Sequence, residues 1–552
     1  MFTLACLLVA AVAGPAQNAH AQPRGVRLTH YGDPTRSIAV SWNSASASDN
    51  QVVVGTSAAD LSRTVTATDT FAMRGALGTG FSARVDGLDP STLYYYRVGH
   101  AGAWRPAESS PPYSFRTLPA DRCAPLRVII IGDNRSDFDG SPNPLWPDIM
   151  DEAVARMPDL LVNTGDMVKN GDAVGEWSDF IDDSESGFAA VPSIATMGNH
   201  DEDALNGDGA LYNQLFELAR NSRTDTEDYY SLDVGPIHVV SLNTQFTRPG
   251  TTELTEMVAW LGADLSASTQ PWTIVFFHKA VYSRGNHHTG EENGGSINST
   301  FTPIFDAHDV DLVFNGHSHD YERYAPTTGL DREFGGSGRM FPAGAGSVVR
   351  GLATVPDGVV GTTYIVTGGA GALTTAGIPG TSFCEDISCT YCLPFVNMCS
   401  DEVLDNDRNG TVVFNGLHNF VVLEIEGADI RAEVWATEAG NLGRGGVVLD
   451  SFTMTKSTWP GDVCGTTPTP DGGVPSPDGG PGVDAGVPPG TDAGVPPRTD
   501  AGTTAGRDSG TTTGADDGGC GCRLAGNRSG GPALPVALLL TVAALWQRRR
   551  TR

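Results

Sequence analysis

Two histidines one residue apart, His317 and His319, follow a short apolar run in Val310-Asp-Leu-Val-Phe-Asn-Gly-His-Ser-His-Asp-Tyr-Glu-Arg323. Imidazoles delivered together from a strand end suit a divalent transition metal. Four further apolar runs stop in a similar way. Arg127-Val-Ile-Ile-Ile ends at Gly132-Asp133, and Asp159-Leu-Leu-Val-Asn-Thr ends at Gly165-Asp166. Val191-Pro-Ser-Ile-Ala-Thr-Met ends at Gly198-Asn199-His200, and Trp272-Thr-Ile-Val-Phe-Phe ends at His278. A lone Gly-Asp is an ordinary turn. Five strand ends each carrying Asp, Asn or His form a pattern that converges on one crevice if the strands are neighbours in one sheet.

The elements that must hold these ends change character along the chain. Residues 24–118 read as short strands between turn residues, among them Ser37-Ile-Ala-Val-Ser-Trp42 and Gln51-Val-Val-Val-Gly55. Alternation and aromatic enrichment predict a β-sandwich there, with its tyrosines in the core and at corners. From Cys123 to about Lys456, apolar runs alternate with helical patterns, as in Trp146–Arg156 and Thr252–Leu265. This is an α/β pattern with a buried, largely parallel sheet. The later runs near Tyr364, Phe420, Arg431 and Val447 lack intervening helices and predict a second, more antiparallel sheet packed on the first. Asn243, at the end of Pro236–Thr244, reads as structural.

The final block resembles that of the calcineurin-like metallophosphoesterases, whose order is an Asp, Gly-Asp, Gly-Asn-His, a lone His and Gly-His-x-His. The Tyr321-Glu-Arg323 extension is similar to the purple acid phosphatase branch, as is His287-His288, nine and ten residues after His278. Leu88-Asp-Pro-Ser-Thr-Leu-Tyr-Tyr-Tyr resembles fibronectin type III modules, which that branch carries in front. The likeness covers roughly residues 24 to 455. It implies a two-sheet αββα sandwich preceded by an all-β fibronectin type III-like sandwich.

The resemblance also implies two divalent or trivalent metal ions (Fe, Zn or Mn) about 3.5–4 Å apart, which acidify a water and clamp phosphoryl oxygens. Carried over by position, Asp166 would bridge them, Asp133 and His319 would complete the first site, and Asn199, His278 and His317 the second. His200 would contact the phosphate or protonate the leaving group. His287 and His288 either share that task or are exposed loop histidines.

Two positions depart from the pattern. Lys169 stands where purple acid phosphatases keep the iron-binding tyrosine, and Arg135 stands where the broader family often has a histidine. A colourless protein with an altered first site is expected. Arg135 either forks onto the phosphate or pairs with Asp137 or Asp139. The implied activity is a metal-dependent phosphomonoesterase on a small phosphate ester. The alternatives are a phosphodiesterase or nucleotidase with the same metals, or a cell-surface binding protein of weakened activity.

The 552 residues carry 65 acidic and 35 basic side chains, a formal net charge of −30. That balance argues against a nucleic-acid-binding surface, and a phosphate substrate would need local cations to offset it. Residues 1–21 resemble a secretory signal ending in Ala19-His20-Ala21, although the segment before the apolar run lacks Lys or Arg. The mature chain would begin near Gln22. Cys384, Cys389, Cys392 and Cys399 would form two local disulfides after export, or hold zinc in a reducing compartment. Cys123 and Cys464 bracket the catalytic region and could pair. Residues 465–519 read as a Pro/Gly/Asp/Thr-rich flexible linker. In residues 520–552, Cys520-Gly-Cys522, the apolar run Pro532–Trp546 and a basic end resemble a MYXO-CTERM sorting tail. A secreted or surface-attached protein is expected, its tail engaging the membrane or sorting machinery.

Overall fold

The computed structural model describes residues 22–456 except 138–139, 203–209, 223–225, 247–249, 284–295, 325, 327–332, 335–339, 342–353, 356–360, 375–410 and 442–444. The cysteine cluster, Cys464, His287, His288, Asp139 and the two chain ends discussed above lie outside the described residues.

Two sheets face each other, and the pleat explains how. In the seven-stranded sheet, Ile274, Phe276, Leu312, Phe314 and Ile365 join the large core shared with the other sheet. The alternating positions Val275, Phe277, Val313 and Tyr364 pack on the helices Thr252–Ala267 and Ser296–Ala307. Successive strand side chains point to opposite faces, so nearly every residue of these runs is buried. The helices Trp146–Val154 and Val174–Asp183 cover the other sheet through Trp146, Ile149, Trp177 and Phe180. Helix, sheet, sheet, helix is the resulting order.

The five chemistry-bearing strand ends do not come from one sheet. Leu126–Ile131, Leu160–Asn163 and Ser193–Ala195 are adjacent and parallel in the first sheet. Trp272–Phe277 and Leu312–Asn315 are adjacent and parallel in the second. A fully buried parallel strand reads the same in either sheet, so sequence could not separate them. The late strands are also redistributed. Asn419–Glu426 pairs antiparallel with Leu126–Ile131 and, with Asp429–Ala436 and Val447–Thr455, extends the first sheet. Thr363–Thr367 alone of that set joins the second.

The N-terminal sandwich is not a detached module. Its strand Arg24–Thr29 meets Ser193–Ala195 at Thr29 and Ser193, so one of its sheets continues into the first catalytic sheet. Its core holds Trp42, Phe81, Tyr94, Tyr96 and Phe115, in keeping with the structural role expected of the tyrosines. Tyr96 donates to the Ala189 carbonyl at 2.7 Å across the junction. Buried Glu185 takes three donors from the sandwich: the Gly25 N–H at 2.7 Å, Arg105 Nε at 2.7 Å and the Tyr113 hydroxyl. Replacing Glu185 by Ala leaves the buried Gly25 N–H without its acceptor, while half-exposed Arg105 can turn to water, and a loss of roughly 2 kcal/mol in unfolding free energy is expected by denaturant titration.

His238, on Ile237–Ser241, meets Asp233 at 2.8 Å through Nδ1 and Asp264 at 2.9 Å through Nε2. Burial opposes its charge, but the hydrogen bonds to the two carboxylates outweigh it and raise the ring to about 9. The folded value lies above the unfolded one. This stabilisation is therefore complete below about pH 6.5 and is lost as pH rises through about 9. A His238→Gln variant should be less stable by on the order of 2 kcal/mol at pH 6, and the gap to the parent should close above pH 9.

Candidate metal centre

Backbone geometry aims the carboxylates. Asp133, Asp166 and His317 all adopt positive φ (57°, 57° and 72°) where strand gives way to loop. Non-glycine residues rarely do so, and such conformations cluster at functional sites. The neighbouring glycines make room. A Cβ on Gly316 would lie 2.3 Å from Asp133 Oδ2, and one on Gly198 would lie 2.2 Å from Asp166 Oδ1. At these two blocks the glycine is set by close approach of a carboxylate, whereas a Cβ on Gly132 would meet Thr164 Oγ1 at 1.8 Å and one on Gly165 the Gly198 nitrogen at 2.6 Å.

Two sets of buried donor atoms result, one of Asp166, His278 and His317 and one of Asp133, Asp166 and His319. Within each set all atoms lie within 4.8 Å of one another. Asp166 belongs to both. His278 Nε2 lies 3.2 Å from Asp166 Oδ1, 3.0 Å from Asn199 Oδ1 and 3.1 Å from His317 Nδ1. His319 Nε2 lies 3.4 Å from Asp133 Oδ1, a buried oxygen with no hydrogen-bond partner among the described residues. A buried carboxylate oxygen left without a hydrogen-bond donor beside a cluster of imidazoles fits a cation.

The ring orientations are fixed from behind. His278 Nδ1 meets the Thr164 carbonyl at 3.0 Å and His319 Nδ1 meets the Leu373 carbonyl at 2.7 Å. A ring nitrogen can approach a carbonyl only by donating, so the Nε2 atoms are left facing the site. Burial disfavours charge on Asp166, yet His278, His200 and Arg135 outweigh it and hold the carboxyl well below the usual range. Burial likewise opposes a charged His278, but Asp166 and Asp133 raise it to about 9. An ion at His278 would need the neutral ring and so competes with this proton.

Asp201 was missed in the sequence. Its Oδ2 accepts the Asp166 N–H at 2.8 Å and the Gly198 N–H at 2.9 Å, and its Oδ1 accepts those of Met167 at 2.8 Å and Val168 at 3.1 Å. Burial first, and then the Asp166 charge, push Asp201 up to about 7. The only available signal was its place directly after Gly-Asn-His.

The Tyr321-Glu-Arg323 block is explained by structure rather than chemistry. Arg323 forks onto Asp450 at 2.6 and 3.1 Å, Tyr321 donates to the same carboxylate at 2.8 Å, and Glu322 accepts Ser283 at 2.8 Å. These bonds pin the strand that follows the two histidines.

Residues 23–117 match the purple acid phosphatase N-terminal domain, and residues 126–321 match calcineurin-like phosphoesterase. The chain carries a calcineurin-like phosphoesterase domain behind a purple acid phosphatase N-terminal domain. Purple acid phosphatase 15 of Arabidopsis thaliana is 27% identical over 274 residues, covering 44% of this chain and 48% of the relative. Purple acid phosphatase 18 of the same plant is 28% identical over 251 residues, covering 43% and 51%. The chain spans about half the length of these curated relatives. A purple acid phosphatase from yellow lupin seeds shares the fold at a TM-score of 0.58, with 20% identity over 79% of this chain and 75% of that one.

Of the ten site residues expected in this phosphoesterase domain, the structure brings Asp133, Asp166, Asn199, His278, His317 and His319 together. His200 is half-buried at their rim; its N–H donates to Asp166 Oδ1 at 2.9 Å and its Nδ1 meets the Lys169 carbonyl at 2.7 Å. Arg135 lies inside the site, on Asp137 and Asp166. The Lys169 ammonium turns to the Asp137 carbonyl. His287 and His288 lie outside the described residues.

Proposed function

We propose that this protein is an exported, metal-dependent phosphoric ester hydrolase acting on small phosphomonoesters. The supporting observation is Asp166, whose one carboxylate serves both donor sets. Asp133, Asp166 and His319 would hold one ion, and Asp166, Asn199, His278 and His317 the other. When bound, such ions acidify water and neutralise charge on the phosphoryl oxygens. His200 is the proton source for the leaving alkoxide, with its backbone tied to Asp166 and its ring oriented by the Lys169 carbonyl. Burial lowers this ring below the usual histidine value against the pull of Asp166. Its proton-donating form therefore exists on the acid side, and turnover should fall as pH rises. Export is supported by the N-terminal apolar run and the cysteine content of the chain. Among the described residues, no helix is long and apolar enough to cross a membrane.

The test uses the full chain loaded with Fe, Zn or Mn, with nitrophenyl phosphate and bis-nitrophenyl phosphate as substrates. Hydrolysis of the monoester in preference, lost on chelation and restored by metal, is the expected result. With Lys169 in place of the iron-binding tyrosine, the iron-loaded protein should show no purple band. Preference for the diester would make it a phosphodiesterase, and bound metal without hydrolysis of either would make it a binding protein.

A further inference from the structure

The Arg135 guanidinium lies among the donors of the Asp133–Asp166–His319 set. Its Nε is 3.3 Å from Asp166 Oδ2, and its Nη2 is 3.4 Å from His319 Nε2. Its Nη1 reaches Asp137 Oδ1 at 3.1 Å and the Ser136 carbonyl at 3.3 Å. All three nitrogens are engaged by protein acceptors, and the side chain is 9% exposed.

The contacts close on themselves. Arg135 donates to Asp137, whose other oxygen accepts the Leu373 N–H at 2.6 Å. The Leu373 carbonyl takes the Nδ1 proton of His319, which leaves Nε2 as the acceptor for Arg135 Nη2. Every donor in this ring meets an acceptor in the one tautomer that allows it. The Arg135 backbone is held as well, by its N–H on the Asp166 carbonyl at 3.1 Å and by Asn143 Nδ2 on its own carbonyl at 3.0 Å. Lys169 adds a second cation to the same loop through the Asp137 carbonyl. A fork onto phosphate would have to break this circuit.

We propose that Arg135 is a built-in cation for the Asp133–Asp166–His319 donor set, so that the chain binds one metal ion tightly, at Asp166, Asn199, His278 and His317, and a second only against the guanidinium. A guanidinium keeps its charge and offers no lone pair, so unlike a histidine at this position it can only compete with an ion. This rests on the metal-site reading above.

The test titrates the full-length, chelator-stripped protein with Mn(II) alone, by equilibrium dialysis and electron paramagnetic resonance. The parent should take one ion per chain, with the isolated six-line signal, and a second about 10–100-fold more weakly. Arg135→His should take two ions and show a spin-coupled signal, Arg135→Met should tighten the second ion, and Arg135→Lys should behave as the parent. Circular dichroism identifies any variant that fails to fold, and the parent result decides without them. Two equally tight ions on the parent, with a coupled signal, would overturn the inference and leave the metal reading standing. So would folded His and Met variants that keep the parent stoichiometry. No bound ion in any of the proteins would overturn both.

Discussion

Asp166→Asn should lower phosphatase turnover by at least about 10³-fold while the protein stays folded. The substitution keeps the shape and the oxygen that accepts the His200 N–H at 2.9 Å. It removes the charge that both donor sets share, and only an anionic carboxylate offers two equivalent donor oxygens to two cations. The amide nitrogen would face Arg135 Nε, now 3.3 Å from Asp166 Oδ2, and that donor–donor contact is the main structural cost. A stability loss of about 1–2 kcal/mol is expected from it. Bound metal, measured by elemental analysis on the same sample, should fall with activity. Full turnover in a folded Asp166→Asn protein would remove the bridge from the mechanism.

Much of this site could be read without coordinates because its chemistry restricts residue types. Only Asp, Asn and His suit these positions, each follows a buried strand, and the glycines before Asp133, Asp166, Asn199 and His317 mark where neighbouring atoms leave no room for a Cβ. What escaped was pairing. Ile274 and Ile129 are equally buried in similar apolar runs, yet they lie in different sheets. The strand pairing that joins the sandwich to the catalytic sheet is the single pair Thr29 and Ser193, which no periodicity announces. The helix Val174–Asp183 went unread although Trp177, Phe180 and Ile181 lie on one face. Arg135 had three candidate partners in the sequence. Geometry gave it Asp137, and also Asp166, which lies 31 residues away.

Asp201 tests whether a residue that touches neither substrate nor metal can govern the centre. Four N–H groups converge on its carboxylate, two from the residues that follow Asp166 and one each from Asp166 and Gly198. Asp201 therefore sets the left-handed turn at Asp166 and the approach of the Gly198-Asn199 loop at once. Removing the carboxylate leaves four buried donors without an acceptor, at a cost of roughly 3–5 kcal/mol. Asparagine should rescue little. One oxygen could still serve Met167 and Val168, but an amide nitrogen in place of Oδ2 would oppose the N–H groups of Asp166 and Gly198. This reverses the expectation for Asp166, where asparagine leaves the fold standing. Displacing Asp166 by even about 1 Å should lower turnover near 10²-fold. The discriminating comparison is thermal stability and bound metal in Asp201→Asn beside Asp166→Asn. A positioning role requires Asp201→Asn to lose both stability and metal, whereas parent-like melting and metal content would show that the turn at Asp166 holds without it.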